Sequence, residues 1–109
     1  MRVAAVISDL MLYSRIESAA SAARASLVRV DSPADLPADL DLVLVDWSAR
    51  QADWADALRA RAGLRIILFG RHTDLDAHAA ASAAELGPMW ARSKLIAEVS
   101  VLLGGSTFT

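Results

Sequence analysis

At 109 residues and 11.6 kDa, with 55% hydrophobic residues, the chain is long enough for one compact domain and too short for two. A net charge of -2 and a pI near 5.5 give no broad basic surface, which argues against nucleic-acid binding through phosphate neutralisation. The absence of cysteine excludes disulfides, thiolate metal sites and cysteine nucleophiles, and no apolar run approaches the ~20 residues of a membrane span. The N-terminus lacks the basic, apolar and small-residue order of a signal peptide, so a reducing, cytoplasmic setting is the expectation.

Taken in order, the chain alternates strand and helix patterns. Val3-Ala4-Ala5-Val6-Ile7 reads as a buried strand running into Ser8-Asp9, either of which can cap a helix with Leu12, Ile16, Ala19, Ala20 and Ala23 on one face. A second short strand is predicted over Ser26 to Val30. In the stretch from Asp31 to Asp39, Pro33 and Pro37 allow no more than a turn of helix. The third strand, Asp41 to Asp46, precedes a capping-box pair, Ser48 and Gln51, and a helix lined by Trp54, Leu58 and Ala62 up to Gly63. Arg65 to Phe69 is the fourth strand, ended by Gly70. Thr73 and Asp76 make a second capping pair, opening an alanine-rich helix with Leu75, Ala79, Ala83 and Leu86 inward and Gly87-Pro88 as its stop. Met89 to Ala91 is the fifth strand, and Ser93 caps a last helix burying Leu95, Ile96, Val99, Leu102 and Leu103 before Gly104-Gly105. This alternation calls for an α/β domain over residues 1–105, a parallel sheet with helices on both faces, and a tail or linker stub over 106–109.

Two apolar strands that each end in a carboxylate, Asp9 and Asp46, predict a shared acidic pocket at the carboxyl ends of neighbouring parallel strands. Dinucleotide binding is argued against, because the first turn, Ser8-Asp9-Leu10-Met11-Leu12, is bulky and acidic rather than glycine-rich. No P-loop and no Gly-x-Ser-x-Gly elbow is present, and no enzyme is expected. His72 and His78 read as solvated residues, because neither has nearby acidic ligands. Trp54 falls on the apolar face of its helix and reads as core. Trp47 and Trp90 stay open, an exposed aromatic at position 90 being suited to an interface.

The residues Val6-Ile7-Ser8-Asp9, Val45-Asp46-Trp47-Ser48 and Ile66-Ile67-Leu68-Phe69 before Gly70, with Arg15-Ile16 down the first helix, resemble a response-regulator receiver domain over Arg2 to about Leu103. The resemblance implies a flavodoxin-like, CheY-like sheet of order 2-1-3-4-5, with the family's second helix reduced to the loop from Asp31 to Asp39. It implies Asp46 at the phosphoacceptor position, and a weak magnesium site from Asp9, Asp46 and the Ser48 backbone carbonyl. Magnesium takes hard oxygen ligands, and one carboxylate of the family's acidic pair is missing here.

Two further departures concern the switch. Gly70 stands where receivers place a threonine or serine. No Lys-Pro pair follows the fifth strand, which leaves Arg92 or Lys94 as a partial substitute for the lysine. Arg71 or Arg92 laid across the carboxylates would mimic a metal. The resemblance therefore implies a pseudo-receiver, a signalling module that binds protein partners without phosphorylation and without a cofactor. Its interaction surfaces are expected at Met89, Trp90, Arg92 and Leu95, and at the bare edge from Val28 to Val30. A homodimer is in keeping with receivers. Two rivals are a degenerate phosphoacceptor using Asp46 with magnesium on Asp9, and a flavodoxin-like domain that binds a small ligand.

Overall fold

In the computed structural model, which describes residues 1–61 and 63–104, strand and helix alternate as their sequence patterns require. The parallel strands β1 (Arg2–Val6), β2 (Ser26–Val30), β3 (Leu42–Asp46), β4 (Arg65–Gly70) and β5 (Met89–Ala91) form one sheet in the order β2-β1-β3-β4-β5. The helices are α1 (Leu10–Ala22), α2 (Trp54–Arg59), α3 (Leu75–Ala84) and α4 (Arg92–Leu102). This is the expected five-stranded arrangement of order 2-1-3-4-5.

The sheet is buried on both faces, which is why its central strands are continuous runs of valine, isoleucine, leucine and alanine. On one face Val3, Ala5, Ile7, Leu42, Leu44, Ile67 and Phe69 meet Leu12 and Ile16 of α1 and Leu95 and Val99 of α4. On the other, Ala4, Val6, Val43, Val45, Ile66 and Leu68 meet Trp47, Trp54, Leu58, Ala77 and Ala81. Each buried valine, leucine or isoleucine contributes about 1.5–3 kcal/mol, so the two cores hold the sheet between them. Trp54 is core, as its helical position required, and Trp47 is buried too.

Several local expectations are corrected. Ser48 and Gln51 do not form a capping box. The Asp46 carboxylate accepts the Ser48 N–H at 3.2 Å and winds Trp47–Ala49 into a 3-10 turn, while Gln51 Nε2 donates to the Ala49 carbonyl. The helix that follows is consequently confined to Trp54–Arg59; Ala62 lies outside the described residues. The cap of α3 is Asp74, whose carboxylate accepts the Ala77 N–H at 3.0 Å, rather than Thr73.

With α3 started there, Ala77 and Ala81 face the sheet, and Leu75, Ala79 and Ala83 face solvent. Among so many alanines the apolar pattern has no preferred side, and the cap decides the register. The left-handed turn that ends α3 is taken by Glu85, with φ 54, before Gly87 is reached. The last helix starts at Arg92, one residue ahead of the expected Ser93 cap, and Ile96 is exposed rather than buried. Gly70 is the final residue of β4, paired with Ala91. Gly105 and the tail lie outside the described residues.

The shortened region between β2 and β3 leaves one edge of the sheet thin. Pro33–Asp35 makes a single 3-10 turn capped by Ser32, and the loop is held against the α2 side by Arg61, which donates to the carbonyls of Leu36 at 3.2 Å and Pro37 at 2.6 Å. The loop packs on α2, and β2 is left covered by β1 and α1.

Candidate functional site

The two predicted carboxylates stand beyond the carboxyl ends of β1 and β3, neighbours in the sheet, with Arg92 bonded to Asp9 and lining a crevice with Asp46 in which Asp9 has no part. Asp9 caps α1: one carboxylate oxygen accepts the N–H groups of Met11 at 3.0 Å and Leu12 at 3.2 Å. Its other oxygen accepts from Arg92 Nη2, the first residue of α4. That guanidinium holds the Asp9 carboxyl below the usual carboxylate range, helped by the Leu12 N–H. Asp46, half-buried, is pushed the other way, because burial raises its pKa more than the Ser48 N–H and the Arg92 charge lower it.

Asp46 and Arg92 line a cleft of about 310 Å³ together with Ser48, Ala49, Arg71 and Asp74. The far wall is the N-terminal turn of α3, where the Ala77 N–H and then the Ser48 hydroxyl lower the pKa of Asp74. Arg71 is exposed at the rim, and its carbonyl accepts from His78 Nε2 at 3.2 Å. Asp74 is the site residue that sequence reasoning missed. Its signal was the spacing to Ala77, hidden by the equally plausible cap at Thr73.

Of the two candidate cations after β5, Arg92 is the one in the crevice. Lys94 is turned away, its Nζ 4.9 Å above the Trp90 ring, where the ammonium meets the negative face of the indole. Met89 and Trp90 pack on opposite faces of the sheet, Met89 beside α3 and Trp90 on the α1 and α4 side, both half-buried. Leu95, named both among the buried residues of the last helix and among the interface residues, is a core residue with no exposed area, because its position on α4 points straight at the sheet.

At the switch position, Gly70 is walled in. A Cβ there would lie 2.5 Å from Ser48 Oγ and 3.0 Å from Met89 Cε, so the space a threonine hydroxyl would use is taken by Ser48. The donor set also fits a magnesium ion poorly. Asp9 has both oxygens engaged, one of them by a cation, and among the described residues no three acidic or histidine side chains gather.

No protein-family model matches the chain, and no curated protein matches its sequence. Solved structures do match. A response regulator receiver protein from Burkholderia phymatum superposes with a TM-score of 0.67 over 96% of each chain, at 18% identity. A pilus assembly protein CpaE from Caulobacter crescentus superposes with a TM-score of 0.60 over 93% of this chain and 91% of its own, at 17% identity. At such identity the likeness lies in the backbone, and with the strand order and the paired carboxyl ends it shows that the chain has the CheY-like fold of response-regulator receiver domains.

Proposed function

We propose that this domain is a pseudo-receiver, a receiver frame that serves as a phosphorylation-independent protein-interaction module in cytoplasmic signalling. The observation that carries the reading is the Arg92 guanidinium on Asp9, a cation built into the chain where receivers recruit a metal. A fixed charge of this kind removes two steps from the usual cycle, metal capture and charge neutralisation of an incoming phosphoryl group. Gly70, with Ser48 in the adjoining space, adds to it, because no hydroxyl on β4 can follow a phosphoryl group inward. The frame has a use outside receiver proteins in name, since one matching structure is a pilus assembly protein.

A second reading, a degenerate phosphoacceptor, is favoured by one feature: Asp46 lines an open cleft beside Arg71 and Arg92. In that case a phosphoryl group passes from acetyl phosphate to the Asp46 carboxylate and acetate leaves. The two are separated by incubating the protein with magnesium and acetyl phosphate, then measuring its intact mass alongside Asp46→Asn. The pseudo-receiver reading expects no mass gain in either protein. A phosphoryl adduct on the unmodified chain, absent from Asp46→Asn, overturns it in favour of the second reading.

A further inference from the structure

The sheet ends in two unlike edges. The β5 edge is three residues long and carries Trp90 under Lys94, a bulky and charged finish. The β2 edge is five residues long and runs in unbroken parallel register with β1, from Arg2 opposite Ser26 to Val6 opposite Val30. It has no proline and no bulge, and its one charged side chain, Arg29, is folded back onto the Ile7 carbonyl at 3.1 Å and the Asp31 carboxylate at 2.9 Å. Sheet edges are ordinarily blunted by such devices, and this one keeps an open row of backbone donors and acceptors. On it Val28 is 39% exposed, on the sheet face from which the family's second helix is missing.

The charges at the ends of this strand single out one occupant. Arg24, two residues ahead of the first residue of β2, is exposed, sits at φ 58 and has no ion pair among the described residues. Asp31, immediately after β2, gives one carboxylate oxygen to Arg29, and its side chain is 82% exposed with the other oxygen unpaired among the described residues. A strand with a basic start and an acidic end is complementary to itself only when the second copy runs antiparallel.

A two-fold axis perpendicular to the sheet provides that pairing and keeps equivalent faces on the same side. Centred on Val28, it sets Val28 against Val28, Leu27 against Arg29 and Ser26 against Val30. It also brings each Arg24 beside Asp31 of the partner subunit. A parallel copy would instead set Arg24 against Arg24 and Asp31 against Asp31.

We infer that the β2 edge is a self-association surface, at which two copies of this chain pair β2 to β2 antiparallel and continue one sheet through both. The inference rests on the edge and not on the crevice, so it stands or falls apart from the pseudo-receiver reading.

The test is sedimentation velocity on the full chain from about 1 μM to about 1 mM, the range in which modest interfaces dissociate. The expected result is a concentration-dependent dimer. Val28→Lys, at a position already open to water, puts two ammonium groups face to face and weakens the dimer by about tenfold or more. Val101→Lys, on an exposed position of α4, leaves it unchanged.

Charge exchange then reads the register. Arg24→Asp and Asp31→Arg each weaken self-association, and an equimolar mixture of the two restores a dimer through two matched pairs. Circular dichroism confirms that each variant is folded. A chain monomeric throughout, a dimer indifferent to Val28→Lys, or a mixture no tighter than either variant alone overturns the inference.

Discussion

Replacing Gly87 by alanine is expected to be the most damaging one-methyl change in the domain. A Cβ at position 87 would lie 2.1 Å from the Ile66 carbonyl oxygen and 3.0 Å from its carbon, both backbone atoms of β4. Carbon and carbonyl oxygen ordinarily stay about 3.3 Å apart, so the two segments must separate by roughly 1.2 Å. Just beyond, the Leu68 N–H donates to the Pro88 carbonyl at 2.9 Å, and the same separation stretches that bond to about 4 Å, past any hydrogen bond. The lost bond costs about 1 kcal/mol and the overpacking about 2 more. Together they lower the melting temperature by roughly 12–24 °C in a domain of this size.

Two other glycines calibrate that estimate. Gly63 has φ +80 with nothing within 4 Å of an added Cβ, so alanine there costs only the left-handed backbone, about 1–2 kcal/mol. At Gly70 the obstacles are the tips of Ser48 and Met89, which can rotate away, and the cost is under about 1 kcal/mol. Urea unfolding followed by tryptophan fluorescence should therefore rank the losses Gly87, Gly63, Gly70. A Gly70→Ala variant as unstable as Gly87→Ala would refute the reasoning, because it would mean that Ser48 is locked in the crevice wall.

Further substitutions probe the crevice and its supports. Asp46→Asn should raise the melting temperature at pH 7 and make no difference at pH 3. Burial holds the folded pKa of Asp46 above its unfolded value, so this group's contribution to stability is whole below the unfolded pKa and is lost as pH rises through the folded one. Asp9 has the opposite sign: its lowered pKa stabilises above the unfolded value and fades as pH falls through the folded one. Asp9→Ala, which loses the α1 cap and the Arg92 pair, should therefore melt lower than Asp9→Asn, which keeps an acceptor for Met11 and Leu12, when both are scanned at neutral pH. Arg92→Met frees that carboxylate, and a magnesium response of tryptophan fluorescence should appear in this variant alone. Arg61→Ala removes donors to Leu36 and Pro37 and should cost about 1–3 kcal/mol, seen as faster proteolysis between β2 and β3.

Much of this molecule was legible from its sequence where burial is two-sided. The runs 3–7, 41–46 and 65–69 have one physical use, and strands lie on them to within a residue at either end. The placing of Asp9 and Asp46 beyond neighbouring strand ends was legible for the same reason, since parallel strands present their carboxyl ends together. What stayed hidden depends on competition among short polar groups. Ser48 and Thr73 each offered a hydroxyl cap, and in each case a neighbouring aspartate, Asp46 or Asp74, reached the free N–H groups instead. The face of α3 was hidden because alanine carries almost no amphipathic signal, whereas the burial of Leu95 was legible from its helical spacing to Val99. The choice between Arg92 and Lys94 rested on one residue of helix start: Arg92 follows Ala91 directly, so its fork reaches Asp9, and Lys94 is carried round to Trp90.

The alanine face of α3 has a consequence for how the crevice behaves over time. A helix attached to its sheet by Ala77 and Ala81 gives up little apolar area on leaving, so its amides are expected to exchange with solvent ahead of those of α1, which is anchored by Leu12 and Ile16. Asp74 caps that helix and Arg71 lies in the loop leading into it, and together they form one wall of the crevice, while Asp46 and Arg92 line the other, at the ends of β3 and β5. The opening therefore has one rigid jaw and one loose one. Local opening of α3 is then expected to widen it, read as amide exchange in α3 ahead of that in α1.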